Sequence, residues 1–243
     1  MKIHLNLIHI CMILFAMSAT AAWGEGEVVK GAIAKMPVYA EDTEKGVLVD
    51  LVKAIARTGN RTIDYKVLPF QRSMTSVINR EVDFHMPLIK HPAADEKSLN
   101  YDLSTATLFH VNFVLYTHKN KPIDRTKIAA YKVETDAAHV HYFHPEIIGS
   151  PNIESSLKKL NAGRIDGFIF ADNASDLIIK NQNLANIHRE LYQVFEVKAV
   201  LPKGDNGKAV DLFLSETIQK LKENGQYGTI MDAIDKPYND WQP

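Results

Sequence analysis

Hydrophobic and polar positions along this chain follow two periods, and the switch from one to the other marks its elements. VVKGAIA (28–34) is a short β-branched run that reads as a strand. KGVLVDLVKAIARTGN (45–60) follows, with Leu48, Leu51, Val52 and Ile55 on one helical face and Gly59 and Asn60 as stop signals. RTIDYKVLP (61–69) returns to strand character. FQRSMTSVINR (70–80) predicts a helix with Met74, Val77 and Ile78 inward, and VDFHMPLI (82–89) predicts a third strand. A β-α-β-α-β opening points to βαβ units rather than an all-β sandwich.

A second set of the same kind begins after FHVNFVLYTHK (109–119), a long apolar strand that ends in a boundary over Lys119–Pro122. KVETD (132–136) predicts a strand, ESSLKKLNAG (154–163) a helix, RIDGFIFA (164–171) a strand and SDLIIKNQN (175–183) a helix. Ile78–Asp83 and Leu160–Asp166 echo one another, each placing a helix end directly before a strand that opens Val-Asp or Ile-Asp. YQVFEVKAVLPKG (192–204) predicts another long strand. KAVDLFLSETIQKLKENG (208–225) predicts an amphipathic helix with Val210, Phe213, Leu214, Ile218 and Leu221 inward and Gly225 as its stop. Two similar α/β lobes are the economical organisation.

Length and composition allow this and remove other classes. The 243 residues can hold one large domain or two lobes of roughly 100 residues each. With 46% hydrophobic and 23% charged residues the chain belongs among folded proteins. A formal net charge of -1, with Lys and Arg scattered, lacks the footprint of a nucleic-acid binder.

The N-terminus changes the picture more. Lys2, an apolar stretch from Ile8 to Met17 and small residues through Ala22 have the layout of a cleaved secretory signal peptide, covering residues 1–24 with its end defined to within a few residues. His9 and the Ser18–Ala22 run leave the apolar stretch short of the about 20 residues that span a bilayer, so the protein is not itself membrane-spanning. Cys11, the only cysteine, lies inside this leader. The mature chain then has no thiol, which excludes disulfides, thiolate metal sites and cysteine nucleophiles.

Motifs for other chemistries are missing. GxGxxG, GxxxxGK[ST] and GxSxG do not occur, so nucleotide binding and a hydrolase nucleophile elbow are unsupported. AHVHYFHP (138–145) offers His139, His141 and His144, and as a strand it would turn two imidazoles to one face, as zinc or copper require. Without HExxH, and with Glu134, Asp136 and Glu146 nearby as ordinary salt partners, the segment assigns no metal. No cofactor is expected.

Gly46-Val47-Leu48-Val49-Asp50-Leu51-Val52-Lys53-Ala54-Ile55-Ala56, the Leu160–Gly167 run Leu-Asn-Ala-Gly-Arg-Ile-Asp-Gly and the ending Leu221–Tyr227 occur in an order that resembles the family 3 extracellular solute-binding proteins. These are periplasmic components that capture polar amino acids and similar solutes for ABC importers. The likeness covers essentially all of the mature chain and departs at Val47, where a larger residue is usual, and at Leu48, where an acid is usual. It implies a two-lobed periplasmic binding protein type II fold, each lobe a mixed sheet flanked by helices. Lobe 1 would comprise 25–113 plus 200–243 and lobe 2 would comprise 114–199, joined by two crossing strands. The implied protein is a monomer in the periplasm that captures a small polar solute by hinge closure and docks on ABC-importer membrane subunits. An enzyme on the same fold, similar to the periplasmic cyclohexadienyl dehydratases and using carboxylates such as Asp172 or Asp95, is one alternative. A ligand-sensing or partner-binding module without transport is another.

The resemblance also indicates site residues. In amino-acid-binding members the strand matching VDFHMPLI ends in hydroxyl residues, and an arginine a few positions on grips the ligand carboxylate with two prongs. Here those positions fall near Pro87, Leu88 and Lys90, and the arginine position falls on Asp95, with no arginine between Arg80 and Arg125. The clamp for a standard α-amino acid is therefore absent. The lobe 2 acid for the ligand ammonium falls on Ala171, with Asp172 one step beyond, and Thr135 matches a lobe 2 hydroxyl. Arg72, in the first turn after a strand, is the replacement cation on the cleft edge, with Phe70 and Tyr39 as flat apolar walls.

Overall fold

The computed structural model describes residues 28–143 and 146–243. The leader over residues 1–24, Cys11 and His144 lie outside the described residues. β1 (Val29–Ala34), α1 (Val47–Thr58), β2 (Ile63–Leu68), α2 (Phe70–Ile78) and β3 (Phe84–Ile89) form in the anticipated order. α1 buries Leu48, Leu51, Val52 and Ile55, with Asp50 in its first turn and Arg57 in its last, where each sign of charge complements the helix dipole. Gly46 precedes it at φ 139°, and a Cβ there would stand 2.4 Å from the Tyr39 carbonyl oxygen. Only glycine fits that turn.

The inward stripe of α2 differs from the one expected. Ser73, Ser76 and Val77 are buried, while Met74 and Ile78 are half-buried. The serines tolerate burial because Ser73 Oγ meets His85 Nδ1 at 2.5 Å and Ser76 Oγ donates to the Arg72 carbonyl at 2.9 Å. His85 itself is fully buried, and that burial lowers its pKa to about 4.

The rest of the chain runs β4 (Tyr101–Leu103), β5 (Phe109–His118), β6 (Val133–Asp136), β7 (Ile148–Ser150), α3 (Ile153–Asn161), β8 (Gly167–Ala171), α4 (Asp172–Asn181), β9 (Ile187–Pro202), α5 (Asp205–Glu223) and α6 (Gln226–Met231). The short β4, β7 and α6 carry too few residues to show a period, and β9 begins ahead of the strand expected from Tyr192. The histidine segment is not a strand. Val140–Tyr142 is a 3-10 turn, started by the His139 N–H donating to the Asp136 carbonyl at 2.9 Å, so its side chains fan out instead of alternating.

Among the described residues all nine strands join one sheet in the order β2-β1-β3-β9-β5-β8-β6-β7, with β4 also on β9. β2-β1-β3 and β8-β6-β7 are each internally linked by parallel pairs, except that β8 meets β5 antiparallel, and the antiparallel pair β9–β5 stands between them. That pair extends from Phe109↔Val197 to His118↔Ile187, with a bulge at Phe113/Val114.

Residues after α6 follow β5 along its length. The His110 N–H donates to Asp235 Oδ1 at 2.9 Å, Asn112 Nδ2 to the Lys236 carbonyl at 2.9 Å and Lys119 Nζ to the Pro243 carbonyl at 2.5 Å. Between those points Arg189, one of the largest fully buried side chains, donates from Nη1 to the carbonyls of Asn239 at 3.0 Å and Trp241 at 2.6 Å. The C-terminal segment therefore straps the two crossing strands.

Candidate functional site

The C-terminal ends of β1 and β3 empty into loops that face those following β6 and β8, the side of an α/β sheet where ligands gather. Three hydrogen bonds cross the crevice between the two strand groups, from the loop after β1 and the end of β3 with its loop to the turn after β6 and the first turn of α4. Asn173 Nδ2 donates to Tyr39 Oη at 2.7 Å, Tyr142 Oη donates to the Ile89 carbonyl at 2.9 Å, and His91 Nε2 meets the His141 carbonyl at 2.8 Å. The Ala93 N–H donates to His91 Nδ1 at 3.1 Å, so the proton of a neutral His91 sits on Nε2 and is donated to His141.

Aromatic rings fill the space behind those bonds. Tyr142 stacks on His91 at 5.0 Å and meets Phe195 edge-on at 5.9 Å. Phe113, on the crossing strand, meets Phe195 at 4.9 Å, and His139 packs on Phe170 at 5.3 Å. Burial pushes the Tyr142 hydroxyl up to about 12 and raises that of Tyr39. Burial, aided by His91 and His139, lowers the His141 pKa. Near neutral pH these two phenols are un-ionised and His141 is uncharged.

The residues singled out from sequence divide into three groups. Tyr39 stands in the crevice, its ring 5.6 Å from Phe109. Asp172 opens α4 beside it, but its Oδ2 accepts from Asn112 Nδ2 at 3.1 Å, and burial raises its carboxyl pKa. Phe70 opens α2 with its ring edge-on to His85 at 5.3 Å, Leu88 lies opposite Lys198 in the ladder, and Arg72 is exposed with no partner among the described residues. The other three are held by neighbours. Lys90 pairs with Glu96 at 2.8 Å, exposed Asp95 caps a turn by accepting the Lys97 N–H at 3.1 Å, and buried Thr135 donates to the Ile169 carbonyl at 2.7 Å.

Sequence reasoning passed over His91, Tyr142 and Asn173. His91 and Tyr142 were visible as ring residues in a cleft-edge loop and in the histidine segment; weighing that segment only for metal hid them. Among the described residues no group of three or more His, Cys, Asp or Glu side chains could hold a metal ion. Cavities of about 630 Å³ on the α3 face and about 200 Å³ beside Asp211 lie away from the crevice. No helix among the described residues is long and apolar enough to cross a membrane.

Comparison with known proteins places this geometry. A histidine kinase sensor domain with similarity to periplasmic binding proteins superposes with a TM-score of 0.64 at 17% identity, over 85% of this chain and 95% of that one. The GluR0 ligand-binding core from Nostoc punctiforme, in complex with L-glutamate, gives 0.62 at 16% identity, covering 86% and 100%. The arginine-, lysine-, histidine-binding protein ArtJ from Geobacillus stearothermophilus gives 0.59 at 17% identity, covering 88% and 97%. The architecture is the two-lobed type II periplasmic binding protein fold anticipated from sequence. No curated protein matches the sequence. The profile of the bacterial extracellular solute-binding proteins, family 3, matches residues 30–234, and the chain belongs to that family.

Proposed function

We propose that the protein captures a small polar solute in the crevice between its lobes by hinge closure. Lobe 1 is formed by 25–113 and 200–243, lobe 2 by 114–199, and β5 with β9 forms the hinge. The observation that carries this is the set of three hydrogen bonds from the loop after β1 and the end of β3 with its loop to the turn after β6 and the first turn of α4, the contacts a closing clamp makes. The absence of an arginine fork, with Asp95 in its place and held in a turn, supports a solute other than a standard α-amino acid. Residues 1–24 act as the export signal, and the mature monomer works in the periplasm with an ABC importer. Its role is binding, not catalysis.

A panel of polar metabolites screened by thermal shift, with small-angle scattering on each hit, tests this. Saturable stabilisation with a fall in radius of gyration is expected from an unconverted solute. Conversion of the solute would replace the proposal with an enzyme. A second reading, a sensing module that keeps the clamp without transport, is favoured by the likeness to a histidine kinase sensor domain. Failure to bind any importer subunit while still closing on a solute would select it.

A further inference from the structure

We infer that the solute of this crevice is a small planar aromatic molecule with hydrogen-bonding edge atoms, held between His91 on one side and His141 with Tyr142 on the other. The inference rests on the solute-capturing role proposed above and names the class of molecule captured. His91 belongs to the loop after β3, His141 and Tyr142 to the turn after β6, so the two sides of the crevice present ring faces to each other.

His91 and His141 lie 14° from parallel with centroids 6.1 Å apart. A flat ring between them needs two face-to-face contacts of about 3.5 Å, or about 7 Å in all. To admit one, the His91 and His141 centroids would move about 1 Å farther apart and the His91 and Tyr142 centroids about 2 Å, releasing the His91 Nε2 bond to the His141 carbonyl. The stack that the rings make on one another stands in for the stack that a solute would make.

Edge chemistry is available at the same place. Neither nitrogen of the His141 ring has a hydrogen-bond partner among the described residues, and of the His139 ring only Nδ1 does, on Asp136 at 3.0 Å. The Ile89 carbonyl becomes a further acceptor once the Tyr142 hydroxyl moves away. A heteroaromatic edge bearing one donor and one acceptor matches that set.

Charge argues the same way. Lys90 is paired with Glu96 and Asp136 is bonded by His139, whereas Asp172 accepts from the neutral Asn112 amide and Arg72 is exposed on α2. The groups bonded to the His91 ring and to the Tyr142 hydroxyl are backbone amides and carbonyls, so a zwitterion placed against these rings would have both its charges uncompensated there. That desolvation cost weighs against an amino acid and spares an uncharged ring.

The test uses the full mature chain and matched probes: indole against tryptophan, imidazole against histidine, and nicotinamide against nicotinate, with arginine and glutamate as ring-free controls. Titration calorimetry is expected to show at least one uncharged ring binding about tenfold or more tighter than its charged partner, the discrimination expected where a charged group would be left unpaired. Saturation transfer from histidine ring protons to that probe is expected by NMR. His91→Ala and Tyr142→Ala should each weaken it about tenfold, whereas Tyr142→Phe, which keeps the ring, should bind at least as well as the unaltered chain. Equal or tighter binding of the charged partners, or binding of arginine or glutamate alone, overturns the ligand class and leaves solute capture standing. If none of the probes nor any polar metabolite binds, both fall.

Discussion

Replacing Asp176 with alanine should cost more than any other single change at the surface of α4. Asp176 accepts from Arg189 Nε at 2.8 Å and Nη2 at 2.5 Å, from Tyr116 Oη at 2.9 Å and from Trp241 Nε1 at 3.1 Å. The Arg189 side chain is 1% exposed. Asp176→Ala leaves that guanidinium buried without a counter-charge, a cost of about 3–5 kcal/mol. At roughly 2–4 °C per kcal/mol for a chain of this size, the melting temperature should fall by about 6–20 °C. Urea titration should show a lower midpoint with an unchanged slope. The reasoning is about an orphaned charge, so removing both charges should undo the part of the damage that the charge causes. Arg189→Met with Asp176→Leu should recover the part of the loss due to the orphaned charge, leaving about 1–3 kcal/mol for the Asn239 and Trp241 carbonyls that lose their donor and the Tyr116 hydroxyl and Trp241 Nε1–H that lose their acceptor. A single Asp176→Ala variant that melts within about 2 °C of the parent, or a double variant no better than the single, would refute it.

Further outcomes follow from individual sites. Gly46→Ala places a Cβ 2.4 Å from the Tyr39 carbonyl at a φ of 139°, so it should destabilise by about 2 kcal/mol or more and disturb the crevice wall, seen as a lower melting temperature and altered Tyr39 NMR shifts. Thr135→Val removes the bond to the Ile169 carbonyl and should cost about 1 kcal/mol in urea titration while leaving solute affinity unchanged; a large affinity loss would return Thr135 to the ligand site. His85 has a folded pKa of about 4 against 6.5 when free, so the unfolded chain takes up its proton first as pH falls. Its contribution to stability is intact above about pH 6.5, is lost between there and about pH 4, and amounts to about 3 kcal/mol. His85→Leu should flatten that part of the pH–stability curve, and an unchanged slope would show that other groups set it.

Much of the framework was legible because burial imposes periods on long elements. Leu48, Leu51, Val52 and Ile55 declare α1, and Val210, Leu214, Ile218 and Leu221 declare α5. The stripe on α2 was misjudged for a physical reason: Ser73 and Ser76 can be buried when their hydroxyls find His85 and a backbone carbonyl, and periodicity carries no trace of that. β7 has three residues and pairs only through β6, so its position depends on the fold rather than on its own pattern. At the candidate site, Tyr39 was recognisable as a flat wall beside a strand end. The partners that complete the crevice were not, since Asn173 and Tyr142 acquire their contacts only when loops more than 50 positions apart meet. Position along the chain located the cleft edge; it could not say which side chains would turn inward.

Self-closure of the crevice bears directly on how such a protein would bind. Each of the three cross-crevice hydrogen bonds contributes about 1 kcal/mol net, and ring pairs add about 0.5–1.5 kcal/mol, against the entropy of ordering the loops. A net preference of only about 2 kcal/mol for the closed, unoccupied form leaves about 3% of molecules open, and the apparent affinity falls by the same factor of about 30. A solute that stacks where Tyr142 and His91 now stack recovers part of this cost by replacing their contact, whereas one that merely wedges the lobes apart recovers none. The C-terminal strap is anchored to β5 at His110 and Asn112 and again at Lys119, on both sides of the Phe113 bulge. If the protein closes on a solute as proposed, discrimination between solutes would depend on which of them can replace the ring stack.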